Sequence, residues 1–182
     1  MKSLINPRFA AVSGLILLAA LSRLLPHPPN FAPITAMALF GGAYISDKRL
    51  AFVVPLIAML ISDLFLGFHS TQLVVYACFM LITFIGFRLK DNKSVGRVAT
   101  ATIIGSILFF VLTNFAVWAF SSYYPTTTAG LIECFTAAIP FYDRSIFSSM
   151  MLNTFLGDAF FTTIFFGAFV LAEQKIPLKV RK

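Results

Sequence analysis

From Phe9 to Ala172 the chain is a succession of apolar runs joined by links of only a few polar residues. A helix needs about 20 predominantly apolar residues to cross the hydrocarbon core of a bilayer. Runs approaching or reaching that length cover residues 9–25, 33–46, 50–68, 72–87, 98–120 and 146–172. They predict an all-α fold, an integral-membrane bundle of six transmembrane helices forming one domain over residues 1–182. Composition points the same way, with 59% hydrophobic and 12% charged residues. A soluble domain carries about 25% charged residues, so a water-soluble globule and a disordered chain are both excluded.

Two runs have their own character. Residues 33–46 are rich in small side chains (Ala36, Ala38, Gly41, Gly42, Ala43), which lets helix backbones approach closely. Gly130 to Ile139 is too short to span and closes at Pro140, so it predicts a short extra helix in the last outer loop. The first run also has a passable signal-peptide cleavage site at Ala20-Leu21-Ser22. Its length, and Arg23 with the prolines that follow, favour a retained span.

The net charge of +7 raises the question of nucleic acid, and the positions of the basic residues answer it. With the N-terminus and C-terminus inside, Lys2, Arg8, Lys48, Arg49, Arg88, Lys90, Lys93 and Arg97 are all cytoplasmic. So are Lys175, Lys179, Arg181 and Lys182, leaving only Arg23 and Arg144 outside. This is the positive-inside bias of a multi-pass protein, with contacts to anionic membrane lipids as its natural accompaniment. Basic residues scattered at helix ends, with no interleaved aromatic stripe, give no nucleic-acid groove. The expected location is a cytoplasmic (inner) bacterial membrane.

The polar residues that topology does not explain gather toward the outer face. Arg23, His27, Asn30, Asp63, His69, Glu133, Asp143 and Arg144 fall at or near it, and Asn114, Asn153 and Asp158 lie deeper. Charged groups in hydrocarbon cost several kcal/mol, so they turn to the bundle interior and pair. Arg23 and Asp63 stand at matching heights on the first and third spans, with Asp158 as a deeper competitor for the same guanidinium. Helix-to-helix glue accounts for such residues too, but glue has no reason to prefer one face. The one-sided excess predicts an outward-facing polar pocket for a small-molecule ligand, lined by Arg23, Asn30, Asp63, His69, Asn114 and Asp158.

An aromatic collar surrounds this set: Phe31, Phe68, Trp118, Tyr123, Tyr124, Phe141 and Tyr142. Most of it reads as an interfacial belt. Tyr124, followed by Pro125 and three threonines, and Trp118 are candidates to cap the pocket. Nucleotide-binding, HExxH and GxSxG motifs are lacking, and His27 and His69 have no metal-ligand spacing. The expectation is therefore a non-enzyme without cofactor or metal. Cys78, in the middle of the fourth span, and Cys134, on the outer segment, are too far apart for a disulfide.

Two kinds of pattern then resemble known proteins. Short-looped spans with polar groups gathered outside and no nucleotide motif resemble the S components of energy-coupling-factor (ECF) vitamin transporters. Arg23-x-x-Pro26-x-Pro28-x-Asn30-Phe31-x-Pro33-Ile34-x-Ala36, Asp63-x-x-x-Gly67-Phe68-His69 and Ala137-Ala138-Ile139-Pro140-Phe141 are similar to a family of small six-helix membrane proteins of unassigned function. The S-component resemblance implies capture of a vitamin-like or other small metabolite from outside, with uptake coupled to a separate energising membrane module. The small-xxx-small pair Ala10 and Gly14 on the first span would be the docking face for that module. One S-component-like group handles cobalamin through a cysteine that meets the cobalt, which makes cobalamin an alternative ligand. Two further alternatives stand beside transport: a lipid-directed membrane enzyme using Asp63 and Asp158, and an accessory membrane protein whose polar groups are structural.

Overall fold

The computed structural model describes residues 7–139 and 149–175. Among them the fold is entirely helical, with seven helices: α1 (Pro7–Ser22), α2 (Ile34–Tyr44), α3 (Lys48–Leu66), α4 (Gln72–Phe87), α5 (Val95–Phe120), α6 (Thr128–Ala138) and α7 (Met150–Lys175). Lys2, Pro140, Phe141, Tyr142, Asp143, Arg144, Lys179, Arg181 and Lys182, and the start of the run at 146, lie outside the described residues. Helices α3, α5 and α7 are each long and apolar enough to cross a membrane. Their surfaces fit that environment, with Phe65, Ile103, Leu171 and other large apolar side chains exposed. An exposed apolar surface of this extent is foreign to a soluble monomer and suits a helical membrane bundle.

The organising element is α2. From Thr35 to Tyr44 every residue is buried, so the helix has no solvent or lipid face and the other elements wrap it. At 1.5 Å per residue it is about 16 Å long, roughly half a hydrocarbon core. The second run therefore forms a half-length internal helix, preceded by the loop that leaves α1. Small residues permit the enclosure. A Cβ on Gly42 would stand 2.4 Å from the Thr83 carbonyl oxygen, and one on Gly86 would stand 2.6 Å from that of Leu39. α2 and α4 are thus in backbone contact. On another side Phe40 and Tyr44 stack with Phe166 and Phe169 of α7, at ring-centroid distances of 4.5–5.6 Å.

α1, α3 and α5 run from one end of the bundle toward the other, and α2, α4 and α7 run back. At one end Arg8 pairs with Glu173 at 3.1 Å, Lys93 lies over the Tyr44 ring at 5.0 Å, and Lys90 donates to the Ser46 carbonyl at 3.2 Å. α3 begins here on an Asp47 cap whose carboxylate accepts from Arg49 N–H at 2.7 Å and Leu50 N–H at 3.0 Å. Those two N–H bonds hold the Asp47 carboxyl below its usual range. At the other end α3 stops at Gly67, whose φ of 89° lies in the left-handed region that favours glycine. The loop between α1 and α2 is fastened there to α7. The Asn153 amide donates to the Pro29 carbonyl at 2.8 Å, and the loop backbone at Phe31 and Ala32 lies against Gly157. Phe31 stacks between Phe160 and Phe161.

Candidate functional site

The end that carries Arg23 contains a cavity of about 360 Å³. Its rim is formed by Arg23, His27, Asn30, His69 and Thr71. Its walls are the apolar side chains Val75, Phe109 and Val117 together with Thr113 and Asn114. Its floor is the amino end of α2, at Ile34 and Thr35, with Thr154 and Asp158 from α7. The half-length α2 makes this hollow: the helix starts deep in the bundle and the α1–α2 loop leaves space above it. Asn30 holds a positive φ of 63° in that loop, a conformation asparagine tolerates better than most residues.

Arg23 is turned inward to α3. One guanidinium nitrogen pairs with Asp63 Oδ1 at 2.7 Å, and the other donates to the Ser62 hydroxyl and the Met59 sulfur. The second Asp63 oxygen accepts from the Gln72 amide at 2.8 Å and the Tyr76 hydroxyl at 2.7 Å. Gln72 and Tyr76 are one helical turn apart on α4, so both face the same carboxylate. The network joins α1, α3 and α4, with the Arg23 and Asp63 side chains 11% and 5% exposed. Only Arg23 of this pair reaches the cavity. Asp63 stands behind it and does not line the space.

Asp158 has different surroundings. It is buried, and its Oδ2 accepts from the Ser106 hydroxyl at 2.7 Å. The N–H and hydroxyl of Thr35 are directed at the same carboxyl. Pro33, at the start of α2, offers no side-chain cap, so the α7 carboxylate stands where a local cap would. It does not compete for Arg23.

Five of the eight predicted site residues therefore share the cavity: Arg23, Asn30, His69, Asn114 and Asp158. Trp118 donates its indole N–H to the Pro125 carbonyl at 3.0 Å and packs on Phe115. Neither it nor half-buried Tyr124 lines the space. Sequence reasoning missed Thr35, Thr113, Thr154 and Ser106. His27 and His69 each bond locally, to the Pro28 carbonyl at 2.9 Å and the Thr71 hydroxyl at 3.0 Å. Among the described residues no three His, Cys, Asp or Glu side chains gather as a metal site. Cys78 and Cys134 are free and buried, and neither lines the cavity.

A second hollow, of about 590 Å³, lies between α5 and α7. Val98, Ile103, Phe155, Phe166 and Val170 make it mostly apolar, with Lys93 at one end. Ser106 lines this hollow and donates to Asp158, which lines the other. That hydrogen bond therefore links the linings of the two spaces.

No curated protein and no solved structure matches the chain. A model of a family of unknown function, DUF6580, matches residues 3–179. With nearly its whole length covered, the chain belongs to that family.

Proposed function

We propose that the protein captures a small molecule from the outer face of a bacterial cytoplasmic membrane, as the binding subunit of an uptake system of the ECF S-component kind. The observation that carries this reading is the polar cavity at the Arg23 end, with a buried carboxylate at its floor and apolar walls. Its volume of about 360 Å³ falls within the roughly 300–1,000 Å³ of small-ligand sites. In this reading α1 to α5 and α7 form six spans, α2 completed by the loop before it, with both termini inside. The Arg23 end then faces out, because Lys48, Arg49, Arg88, Lys90, Lys93 and Arg97 belong to the opposite end. An energising module would meet α1 at Ala10, which is exposed, and at Gly14, where a Cβ would find open space.

The alternatives draw less support. A lipid-directed enzyme asks Asp63 and Asp158 to share a space, whereas Asp63 is engaged by Arg23, Gln72 and Tyr76 behind the cavity wall. Cobalamin asks for a cysteine in the cavity, and neither is there. The accessory-protein reading explains the Arg23–Asp63 network but gives no reason for the hollow beside it.

Native mass spectrometry of gently purified protein tests the proposal. A small molecule should be retained by the wild-type chain and lost from Thr113→Phe, which fills the cavity from its wall. Retention of a partner membrane protein and no small molecule would favour the accessory reading instead.

A further inference from the structure

Resting on that binding reading, the charges around the cavity say what kind of ligand it takes. Four lining side chains can carry charge: Arg23, His27, His69 and Asp158. The Arg23 charge is already met by Asp63 at 2.7 Å, and its other terminal nitrogen donates to Ser62 and Met59. The two histidines belong to the rim, where they are exposed and bonded within their own loops. Asp158 is the exception. It is 3% exposed, eight residues into α7, and the ion pairs among the described residues join Arg8 to Glu173 and Arg23 to Asp63 without reaching it.

A carboxylate in the low-dielectric interior with no cation beside it is costly, and intramembrane ionisable groups characteristically pair. The Ser106 hydroxyl and the amino end of α2 give Asp158 dipoles but no full charge. Space for the missing partner opens directly onto it. The buried Thr35 hydroxyl beside it, directed at the same carboxyl and lining the cavity, keeps its oxygen lone pairs for a ligand donor at the same depth. Above them Val75, Phe109 and Val117 present apolar surface suited to a hydrocarbon or ring. We propose that the cavity takes a small ligand with a cationic nitrogen, the Asp158 carboxylate serving as its counter-ion and the Thr35 hydroxyl as a further hydrogen-bond partner. An organic anion would gain no counter-charge at the floor, with or without a proton on the carboxyl, and would find Arg23 already paired.

The test is a charge series on one skeleton, read as the shift in thermal unfolding midpoint of the full chain in lipid nanodiscs. Phenethylammonium should raise the midpoint in a concentration-dependent way. Phenethyl alcohol should bind about tenfold or more weakly, a difference of about 1.4 kcal/mol, and 3-phenylpropionate should give no shift. Asp158→Asn, which keeps an oxygen for Ser106, should abolish the preference for the ammonium. If that variant does not fold, the wild-type series still decides. Equal or tighter binding of 3-phenylpropionate, or an ammonium preference unchanged in Asp158→Asn, would overturn the assignment. Should the anion bind and Thr113→Phe remove it, the cation inference fails while the cavity reading stands. Binding of none of the three overturns the inference, and retained ligand in the native mass spectrum then judges the cavity by itself.

Discussion

The two aspartates show how much a residue's environment decides its work. Asp63 and Asp158 both sit in apolar helical sequence after a small residue, yet one is fully engaged by Arg23, Gln72 and Tyr76 and the other has only neutral partners. Removing one member of a buried ion pair leaves the other uncompensated, typically at about 3–5 kcal/mol. Asp63→Leu should therefore lower resistance to SDS-induced unfolding by an amount of that order. Arg23→Met combined with Asp63→Leu should recover most of the loss, because replacing both ions by apolar groups is often neutral. A double variant as weak as the single one would show that the pair itself does not set the stability. The sequence made the Arg23–Asp63 match legible through equal height on neighbouring spans. Its remaining partners were not legible, because Gln72 and Tyr76 look like ordinary polar residues at a helix start. The cavity threonines were hidden for another reason. Thr113 donates to the Phe109 carbonyl at 2.7 Å and Thr154 to that of Met150 at 2.9 Å. A hydroxyl satisfied by its own helix carries no burial penalty that would mark it in an apolar run.

At the scale of elements, the bundle is built on the approach of α2 to α4. Gly42→Ala would place a Cβ 2.4 Å from the Thr83 carbonyl oxygen, and Gly86→Ala one at 2.6 Å from that of Leu39. The obstacle in both cases is backbone, which cannot swing aside as a side-chain tip can, so the helices must separate. Overpacking of this kind costs about 1–3 kcal/mol and sometimes more, and either variant should reach or exceed the top of that range. Gly167→Ala on α7 is the internal control. Nothing lies within 4 Å of its added Cβ, and alanine is the better helix former, so its unfolding midpoint should be unchanged or slightly raised. Equal destabilisation by all three would remove close packing as the cause. The sequence announced this contact through its Gly and Ala content. It could not show that α2 is half-length, since an apolar run of 33–46 looks the same whether its start is helix or a loop packed on α7. The short extra helix was legible from Pro140 and from its length, and the structure has it as α6, Thr128–Ala138. Trp118 does not line the cavity, and its indole N–H is bonded to the Pro125 carbonyl.

At the scale of the whole molecule the two ends are electrostatically unlike. One end gathers Arg8, Lys48, Arg49, Arg88, Lys90, Lys93 and Arg97 against Asp47, Asp91 and Glu173. The other has Arg23, neutralised by Asp63, beside the cavity. Each Lys or Arg near an anionic leaflet is worth about 1 kcal/mol, and in the proposed orientation that attraction holds the basic end at the cytoplasmic face. If the cavity end faces out, a chain lacking its own cysteines should react accordingly with a membrane-impermeant maleimide. Cys78 and Cys134 are replaced by serine, and one cysteine is introduced at a time. Thr126→Cys, in the exposed loop before α6, should label in intact spheroplasts. Asp91→Cys, in the exposed link between α4 and α5, should label only after the membrane is opened. The reverse pattern would place the cavity on the cytoplasmic side. Capture from outside would then be untenable, while the cavity and its unpaired carboxylate would still need a ligand, drawn from the cell interior. Orientation is thus the measurement that separates what the pocket binds from which side it binds it.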